Sequence, residues 1–175
     1  MSRAAIIVTG TIGCGAVRRA LSDQRGELER RFPSFFTPVS RLDYAFDTEQ
    51  EEIVKRVLAK QAGFFGVECV LHGGAGGIFK TLWDLGETLQ SGLSADLKLI
   101  PVRQETIEIC EIFGWNPYTF ESPGMTVIAA EDGYGLHSAL LDAGAGNAVI
   151  GTMTDKKART LRYLEHLRYI DKPRP

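Results

Sequence analysis

Short apolar runs alternate along this chain with longer stretches in which apolar residues recur every three or four positions. Residues 4–8 (AAIIV) and 64–72 (FFGVECVLH) predict buried strands, because apolar residues in consecutive positions line both faces of a strand. We expect the second of these to be a central strand of its sheet. Residues 47–63 (DTEQEEIVKRVLAKQAG) predict a helix that begins with a capping aspartate and early glutamates and ends at a glycine.

The same two periodicities divide the remainder of the chain. Helices are predicted over residues 15–32, 77–91, 103–113 and 133–143, and strands over residues 93–100, 125–130 and 147–153. The tail, residues 160–175, is expected to contain one or two strands. Because strands and helices alternate, the fold is predicted to be α/β or α+β, with helices layered on a sheet. No repeat or linker interrupts the pattern, so residues 1–175 are expected to form one domain.

Composition narrows the classes of function. Hydrophobic residues make up 44% and charged residues 24% of the 175 residues, as in an ordinary globular protein. A net charge of −2 provides no basic surface for nucleic acid or for a membrane. No apolar run has the length of a membrane span or of a signal-peptide core, so we expect a cytoplasmic protein.

The three cysteines do not form a metal-binding or disulfide pattern. Cys14, Cys69 and Cys110 are widely spaced and include no CxxC pair. Cys69 and Cys110 lie in apolar patterns and are expected to be small buried side chains, whereas Cys14 lies in a glycine-rich loop and is expected to be exposed. His137 and His166 are expected at the surface, and no metal ligands and no catalytic residues are predicted.

The stretch at residues 70–85 (VLHGGAGGIFKTLWDL) resembles three kinds of ligand-binding turn but lacks a required part of each. A Walker A loop needs a glycine where Phe79 stands, directly before Lys80 and Thr81. An HGGG-type oxyanion hole serves a Gly-x-Ser-x-Gly nucleophile, which this sequence does not contain. A dinucleotide fingerprint, here or at VTGTIGCG, requires an acidic residue at the end of a second strand, and none follows at the required distance.

Two interpretations of this turn stay open. The glycines either allow a sharp turn between two buried elements, or they place backbone N–H groups around an anion at the start of the helix near Gly77. His72 either contacts a ligand or satisfies loop carbonyls. The candidate ligand-binding or phosphate-binding residues are His72, Gly73, Gly74, Gly76, Gly77, Lys80 and Gly124.

Four motifs in order resemble the C-terminal half of aminoimidazole-ribotide-synthase-related proteins. They are GVECVLHGGAGGIFKTLWDL, IPVRQETIEICEIFGWNPYTF, SPGMTVIAA and AVIGTMT, and the branch they resemble most is the hydrogenase-maturation carbamoyl dehydratases. The resemblance implies a PurM C-terminal-like domain with a ferredoxin-like mixed sheet layered with helices. The strand at residues 4–8 would then be the last strand of the family's amino-terminal domain. Full-length members are two-domain dimers that bind ATP and Mg²⁺ largely through that amino-terminal domain, which is expected to be absent here.

The departures from the family pattern indicate lost chemistry. Relatives have His-Asp-x-Thr-Glu-Gly-Gly at residues 71–77, whereas the acidic and hydroxyl positions here are His72, Gly74 and Ala75. Residues 122–124 read Ser-Pro-Gly in place of Asn-Glu-Gly, and the dehydratase's C-terminal cysteine does not appear in the final KPRP. Neither alanine nor glycine can coordinate a cation or accept a proton.

These departures predict a stand-alone binding or assembly module without complete catalytic machinery and without a cofactor of its own. Its partner would be a separately encoded amino-terminal ATP-binding domain or a second copy of the chain, with ATP and Mg²⁺ bound in the complex. The alternative is a component of an ATP-dependent ligase or dehydratase that completes an active site with a separate amino-terminal domain. A third interpretation is a small-molecule sensor that uses the same pocket.

Overall fold

The computed structural model describes residues 3–31 and 45–173, and for residues 45–48 it describes only the backbone. The described residues form one sheet of seven strands in the order β2-β4-β1-β5-β3-β6-β7. Neighbouring strands are antiparallel except for β3 and β6, which are parallel, so the mixed sheet implied by the family resemblance is confirmed. The strands are β1 (Ala5–Thr9), β2 (Val67–His72), β3 (Gly92–Asp96), β4 (Thr126–Ala130), β5 (Asn147–Thr154), β6 (Arg159–Tyr163) and β7 (His166–Tyr169).

Six α-helices lie in the described residues, close to the predicted ranges. They are α1 (Cys14–Asp23), α2 (Arg25–Arg31), α3 (Ala45–Gln61), α4 (Gly77–Thr88), α5 (Gln104–Phe113) and α6 (Gly133–Asp142), with short 3₁₀ turns at Leu97–Leu99 and Pro117–Thr119. The helix predicted over residues 15–32 is divided at Gln24, which ends α1 and whose carbonyl accepts hydrogen bonds from the Glu27 and Leu28 amides of α2. The division allows Leu28 to pack with Val17, Ala20 and Ile109 in a small apolar cluster. None of the helices in the described ranges is long and apolar enough to cross a membrane.

Helices cover both faces of the sheet around β1. On one face, Ile6 and Val8 pack against Ile78, Leu82 and Leu85 of α4. On the other face, Ile7 and Ile128 pack with side chains of α3 and α6, among them Val54, Leu136 and Leu140. Burying each such side chain contributes roughly 1.5–3 kcal/mol, so the sheet is stabilised from both sides.

Two sequence-based predictions of strand position are wrong. β2 is an edge strand and not a central one, since it pairs only with β4 among the described residues. Its two faces are both apolar because Cys69 and Leu71 pack towards α4 while Val67 and Val70 pack towards α3 and α6. The strand predicted at residues 4–8 is not the last strand of another domain, because β1 lies between β4 and β5 at the centre of this sheet and all five of its residues are buried.

The strand predicted over residues 93–100 ends early, at Asp96. The Asp96 carboxylate accepts a hydrogen bond of 3.0 Å from the Lys98 amide and so starts the first 3₁₀ turn. The tail contains two strands, β6 and β7, which form a hairpin at one edge of the sheet. Residues 174 and 175 lie outside the described part of the chain.

Candidate functional site

The predicted glycine turn packs closely against a single loop. This turn, residues 73–77, joins β2 to α4 and lies against the 116–124 loop. We call it the second glycine turn, because residues 10–15 form an earlier one. A Cβ atom on Gly73 would overlap the carbonyl oxygen of Ser122, and one on Gly77 would overlap the carbonyl oxygens of Tyr118 and Phe120. Gly77 also has a φ of +63°, which side chains disfavour. Packing therefore accounts for these two glycines without any ligand.

A first glycine turn, residues 10–15, packs against the same loop from the other side. Ser122 is fully buried, and its hydroxyl accepts a hydrogen bond of 2.9 Å from the Gly13 amide and donates one of 3.1 Å to the Phe120 carbonyl. The Gly15 amide donates to the Glu121 carbonyl at 3.0 Å. Both strand-to-helix turns are thus built around the backbone of one loop.

Three residues of the second glycine turn remain open to solvent. Gly74, Ala75 and Gly76 are exposed, and a Cβ on Gly74 would meet no atom within 4 Å. Ala75 and Gly76 border a groove with a volume of about 920 Å³. At the groove, the turn therefore presents only the Ala75 methyl group and the backbone. Neither of these two residues has a carboxylate or a hydroxyl group.

Lys80 also lines the groove, but its charge is already paired. The Lys80 ammonium makes an ion pair with the Asp84 carboxylate one helical turn later, and both side chains are partly exposed. The stem of Lys80 lies over Gly76, where an added Cβ would be 2.8 Å from the Lys80 Cβ. An anion at this turn would have to compete with Asp84 for the lysine.

His72 and Gly124 are not brought together with these groove residues. The His72 ring is exposed, and its Nδ1 lies 3.2 Å from the Thr126 hydroxyl. His72 alternates with Leu71 along β2, so it faces the α3 and α6 side of the sheet while α4 packs on the opposite side. Gly124 lies beside the first glycine turn, where its carbonyl oxygen would be 3.1 Å from a Cβ on Gly10.

The sequence did not indicate the row of polar residues that continues from His72 across four strands. His72, Thr126, Thr9 and Asn147 lie side by side in register on β2, β4, β1 and β5. The Thr9 hydroxyl is buried and has no hydrogen-bond partner among the described residues. His137 is half-buried and not at the surface as predicted, because its Nδ1 lies 2.6 Å from the Asn147 Oδ1.

The groove has an aromatic and a cationic part. The rings of Phe79 and Tyr118 stack with centroids 5.2 Å apart and an interplanar angle of 5°. Burial, together with Tyr163, raises the pKa of the Tyr118 hydroxyl above its ordinary value. Arg168 and Lys172 lie on the wall formed by the chain's last described residues. The sequence did not indicate Tyr118, Arg168 or Lys172, since no local motif joins residues so far apart.

The cysteines are poor nucleophiles in this environment. Cys14, predicted to be exposed, is instead buried, and its thiol points at the carbonyls of Glu121 and Pro123, 4.0 and 3.8 Å away. Burial raises the pKa of Cys110 to about 11. Burial also raises the pKa of Cys69, which is half-buried on the edge strand and not fully buried as predicted.

The chain forms a layered α/β domain. It has a mixed sheet with helices on both faces, and its two glycine turns pack around one loop. The family described as "AIR synthase related protein, C-terminal domain" matches residues 4–163. The chain therefore belongs to the AIR synthase related family and carries the C-terminal domain of that family, as the sequence resemblance predicted. The match begins at residue 4, in agreement with the central position of β1 in this sheet.

Solved structures of hydrogenase maturation proteins have a similar fold. The crystal structure of E. coli HypE is 22% identical over 100% of this chain and 51% of that chain, with a TM-score of 0.72. The structure of HypE in complex with ATP is 17% identical over 98% of this chain and 51% of that one, with a TM-score of 0.73. T. maritima PurL complexed with FGAR is 13% identical over 97% of this chain and 27% of that one, with a TM-score of 0.63.

At these identities the likeness establishes the fold alone. The chain spans about half the length of the hydrogenase maturation proteins that it resembles. No curated protein matches the sequence at a significant level.

Proposed function

We propose that this chain is a binding and assembly module that docks onto an amino-terminal ATP-binding domain carried by a separate chain, and that it does not catalyse a reaction alone. The observation that carries this proposal is the composition of the second glycine turn where it borders the groove. The turn presents Ala75 and Gly76 to the groove. His72 lies beside Thr126 on the face of the sheet that is opposite to α4. Magnesium-assisted phosphate chemistry needs oxygen ligands, which none of these three side chains provides.

An exposed aromatic pair provides a docking surface for such a partner. Phe64 is 82% exposed and Tyr134 is 72% exposed. Their loops are joined by hydrogen bonds of 3.0 Å from the Asp132 amide to the Phe65 carbonyl and from the Glu131 amide to the Gly66 carbonyl. Aromatic side chains are enriched at protein interfaces, where they bury a large area at a low entropic cost.

The position of this pair relative to β1 favours an amino-terminal domain as the partner. A Cβ on Gly133, next to Tyr134, would overlap the Ala5 side chain, so the pair lies at the end of the sheet where β1 begins. A domain that precedes β1 in a two-domain relative would reach the sheet at this end. A second copy of the chain is the competing occupant of the same surface.

The experiment mixes this chain with a family amino-terminal ATP-binding domain from the same genome, expressed as its own chain. Light scattering is expected to give the mass of a heteromeric complex, and Phe64→Ser with Tyr134→Ser is expected to weaken it at least about tenfold, a change of roughly 1.4 kcal/mol. Leu167→Ser is the control, because Leu167 is 58% exposed on the distant hairpin. The proposal would be contradicted if the chain formed a homodimer in place of the complex, or if it hydrolysed ATP alone. It would also be contradicted if the Phe64/Tyr134 variant bound the amino-terminal domain as tightly as the Leu167 variant.

The alternative function is that of a subunit completing an ATP-dependent active site. It is favoured by the position of Gly76, which caps the N-terminus of α4 beside the groove, since the start of a helix attracts anions. The similar structures include HypE in complex with ATP and PurL complexed with ADP. This alternative predicts that ATP is hydrolysed by the mixture of the two chains and by neither chain alone, whereas the assembly proposal predicts no such gain.

A further inference from the structure

The groove beside the second glycine turn has the dimensions of a small-molecule site. Its volume of about 920 Å³ falls within the range of roughly 300–1,000 Å³ that is typical of ligand pockets. One wall is the first turn of α4 with Phe79, and the other is the chain from Arg168 to Pro173. Leu97 and Leu161 provide apolar surface between the walls, so most of a bound molecule would contact carbon atoms.

The aromatic part of the groove presents a flat surface. Phe79 and Tyr118 stack almost in parallel, and both rings line the groove. Tyr118 is held in place by its own turn, in which its amide donates a 3.1 Å hydrogen bond to the Asn116 side chain. Because each ring covers one face of the other, a planar ligand would stack on an outer face of the pair, and the fixed pair loses little conformational entropy on binding.

The two cations on the last wall of the groove, Arg168 and Lys172, have no ion-pair partner in the described part of the chain. Most other cations near the hairpin are paired: Lys80 with Asp84, Arg159 with Glu87 and Arg162 with Asp96. Within residues 3–31 and 45–173, neither Arg168 nor Lys172 has a carboxylate within 4.0 Å that forms an ion pair with it. Asp171, the one carboxylate among the groove residues, leaves a net positive charge on this wall.

The register of the hairpin determines the direction of Arg168. Arg168 of β7 lies directly opposite Leu161 of β6, and opposite residues of an antiparallel pair point to the same face. Leu161 is buried in the α4 side of the core, so Arg168 also projects on the α4 side, towards the groove. Arg162, which alternates with Leu161, projects to the other face, where it pairs with Asp96 at 3.5 Å.

We propose that this groove binds a small organic anion with a planar aromatic ring, whose ring packs on Phe79 and Tyr118 and whose anionic group is held by Arg168 and Lys172. Two sources share this chemistry, namely a nucleoside monophosphate and an aromatic carboxylate. The site uses neither the glycine-turn amides nor a partner domain, so it is independent of the assembly proposed above.

The experiment is calorimetric titration of the full chain with four probes: AMP, 4-hydroxybenzoate, adenosine and inorganic phosphate. We expect saturable binding of AMP or of 4-hydroxybenzoate, and the probe that binds identifies the source of the anion. Adenosine and phosphate are each expected to bind at least about tenfold more weakly than AMP if AMP is the one bound, because each makes only one of the two kinds of contact.

Variants locate the binding in the groove. Arg168→Gln and Lys172→Gln are each expected to weaken binding at least about tenfold, while Arg162→Gln, on the opposite face, is expected to leave it unchanged. All three residues are exposed, so these variants should fold as the parent does, and this is checked by thermal unfolding. The proposal is overturned if neither aromatic anion binds at about 1 mM, or if Arg162→Gln weakens binding as much as Arg168→Gln.

Discussion

The Arg159 guanidinium lies 4.1 Å from the centroid of the Trp83 ring and donates a hydrogen bond of 2.6 Å to the Glu87 carboxylate. This contact joins the first strand of the hairpin, β6, to the helix α4. Gly86 makes room for it, since a Cβ there would overlap the arginine Nε. The Arg159 side chain is only 11% exposed, so a nearly buried cation holds the hairpin against α4.

Replacing Arg159 with alanine should destabilise the protein by about 1–3 kcal/mol, because a nearly buried cation–π contact and an ion pair are both lost. Arg162→Ala is the matched control, since the Arg162 side chain is 62% exposed and its pair with Asp96 is expected to contribute less than about 1 kcal/mol. Urea unfolding measures both. Equal losses in the two variants would show that the Trp83 contact is not a specific source of stability.

Substitution by alanine should have a large effect on stability at Gly77 and a small effect at Gly74. Gly77→Ala is expected to cost about 2–4 kcal/mol, because the residue has a φ of +63° and its Cβ would overlap two carbonyl oxygens. Gly74→Ala should change stability by less than about 0.5–1 kcal/mol, since no atom lies within 4 Å of the new Cβ. Chemical unfolding of the two variants is the measurement, and a large loss at Gly74 would contradict the packing explanation of the turn.

Ser122→Ala should destabilise the protein by about 1–3 kcal/mol, since it leaves the Gly13 amide buried without its acceptor. Thr119→Val is the control in the same loop. Its hydroxyl donates to the Asn116 carbonyl at 2.9 Å but is exposed, so water can replace it at a cost of less than about 1 kcal/mol. If the Thr119 variant lost as much stability as the Ser122 variant, burial of the hydroxyl would not be the cause.

The raised pKa of Cys110 predicts a loss of stability at alkaline pH. Its folded pKa of about 11 lies above the ordinary value of 9.0, so the neutral thiol is favoured in the fold. The contribution is therefore fully present below pH 9.0 and is lost as the pH rises towards about 11. The free energy of unfolding should fall more steeply across this window for the parent than for Cys110→Ala. Parallel slopes would contradict the burial of this thiol.

The sequence was sufficient to predict the elements but not their neighbours. The period of the apolar residues predicts a helix at residues 103–113 and a strand at residues 125–130. The structure has them at Gln104–Phe113 and Thr126–Ala130. The same rule misplaced β2 at the centre of the sheet, because an edge strand covered by helices on both faces has the apolar pattern of a central strand.

The second glycine turn shows the same difference between what the sequence predicts and what the structure decides, here for single residues. From the sequence, both packing and anion binding remain open as the role of each glycine from Gly73 to Gly77. The 116–124 loop distinguishes them, since it excludes a Cβ at Gly73 and Gly77 and leaves Gly74 open. Residues of a loop more than forty positions away thus decide which glycines have no room for a side chain.

The amino-acid sequence by itself determined the family, the alternation of strands and helices, and the absence of acidic and hydroxyl side chains at Gly74 and Ala75. These properties depend on residue type and local periodicity. Only the tertiary structure decided that β1 is central, that His72 and Lys80 lie apart, and that Phe79, Tyr118 and Arg168 share one groove. The reason is that strand order and side-chain convergence depend on contacts between residues far apart in the chain, for which local periodicity carries no signal.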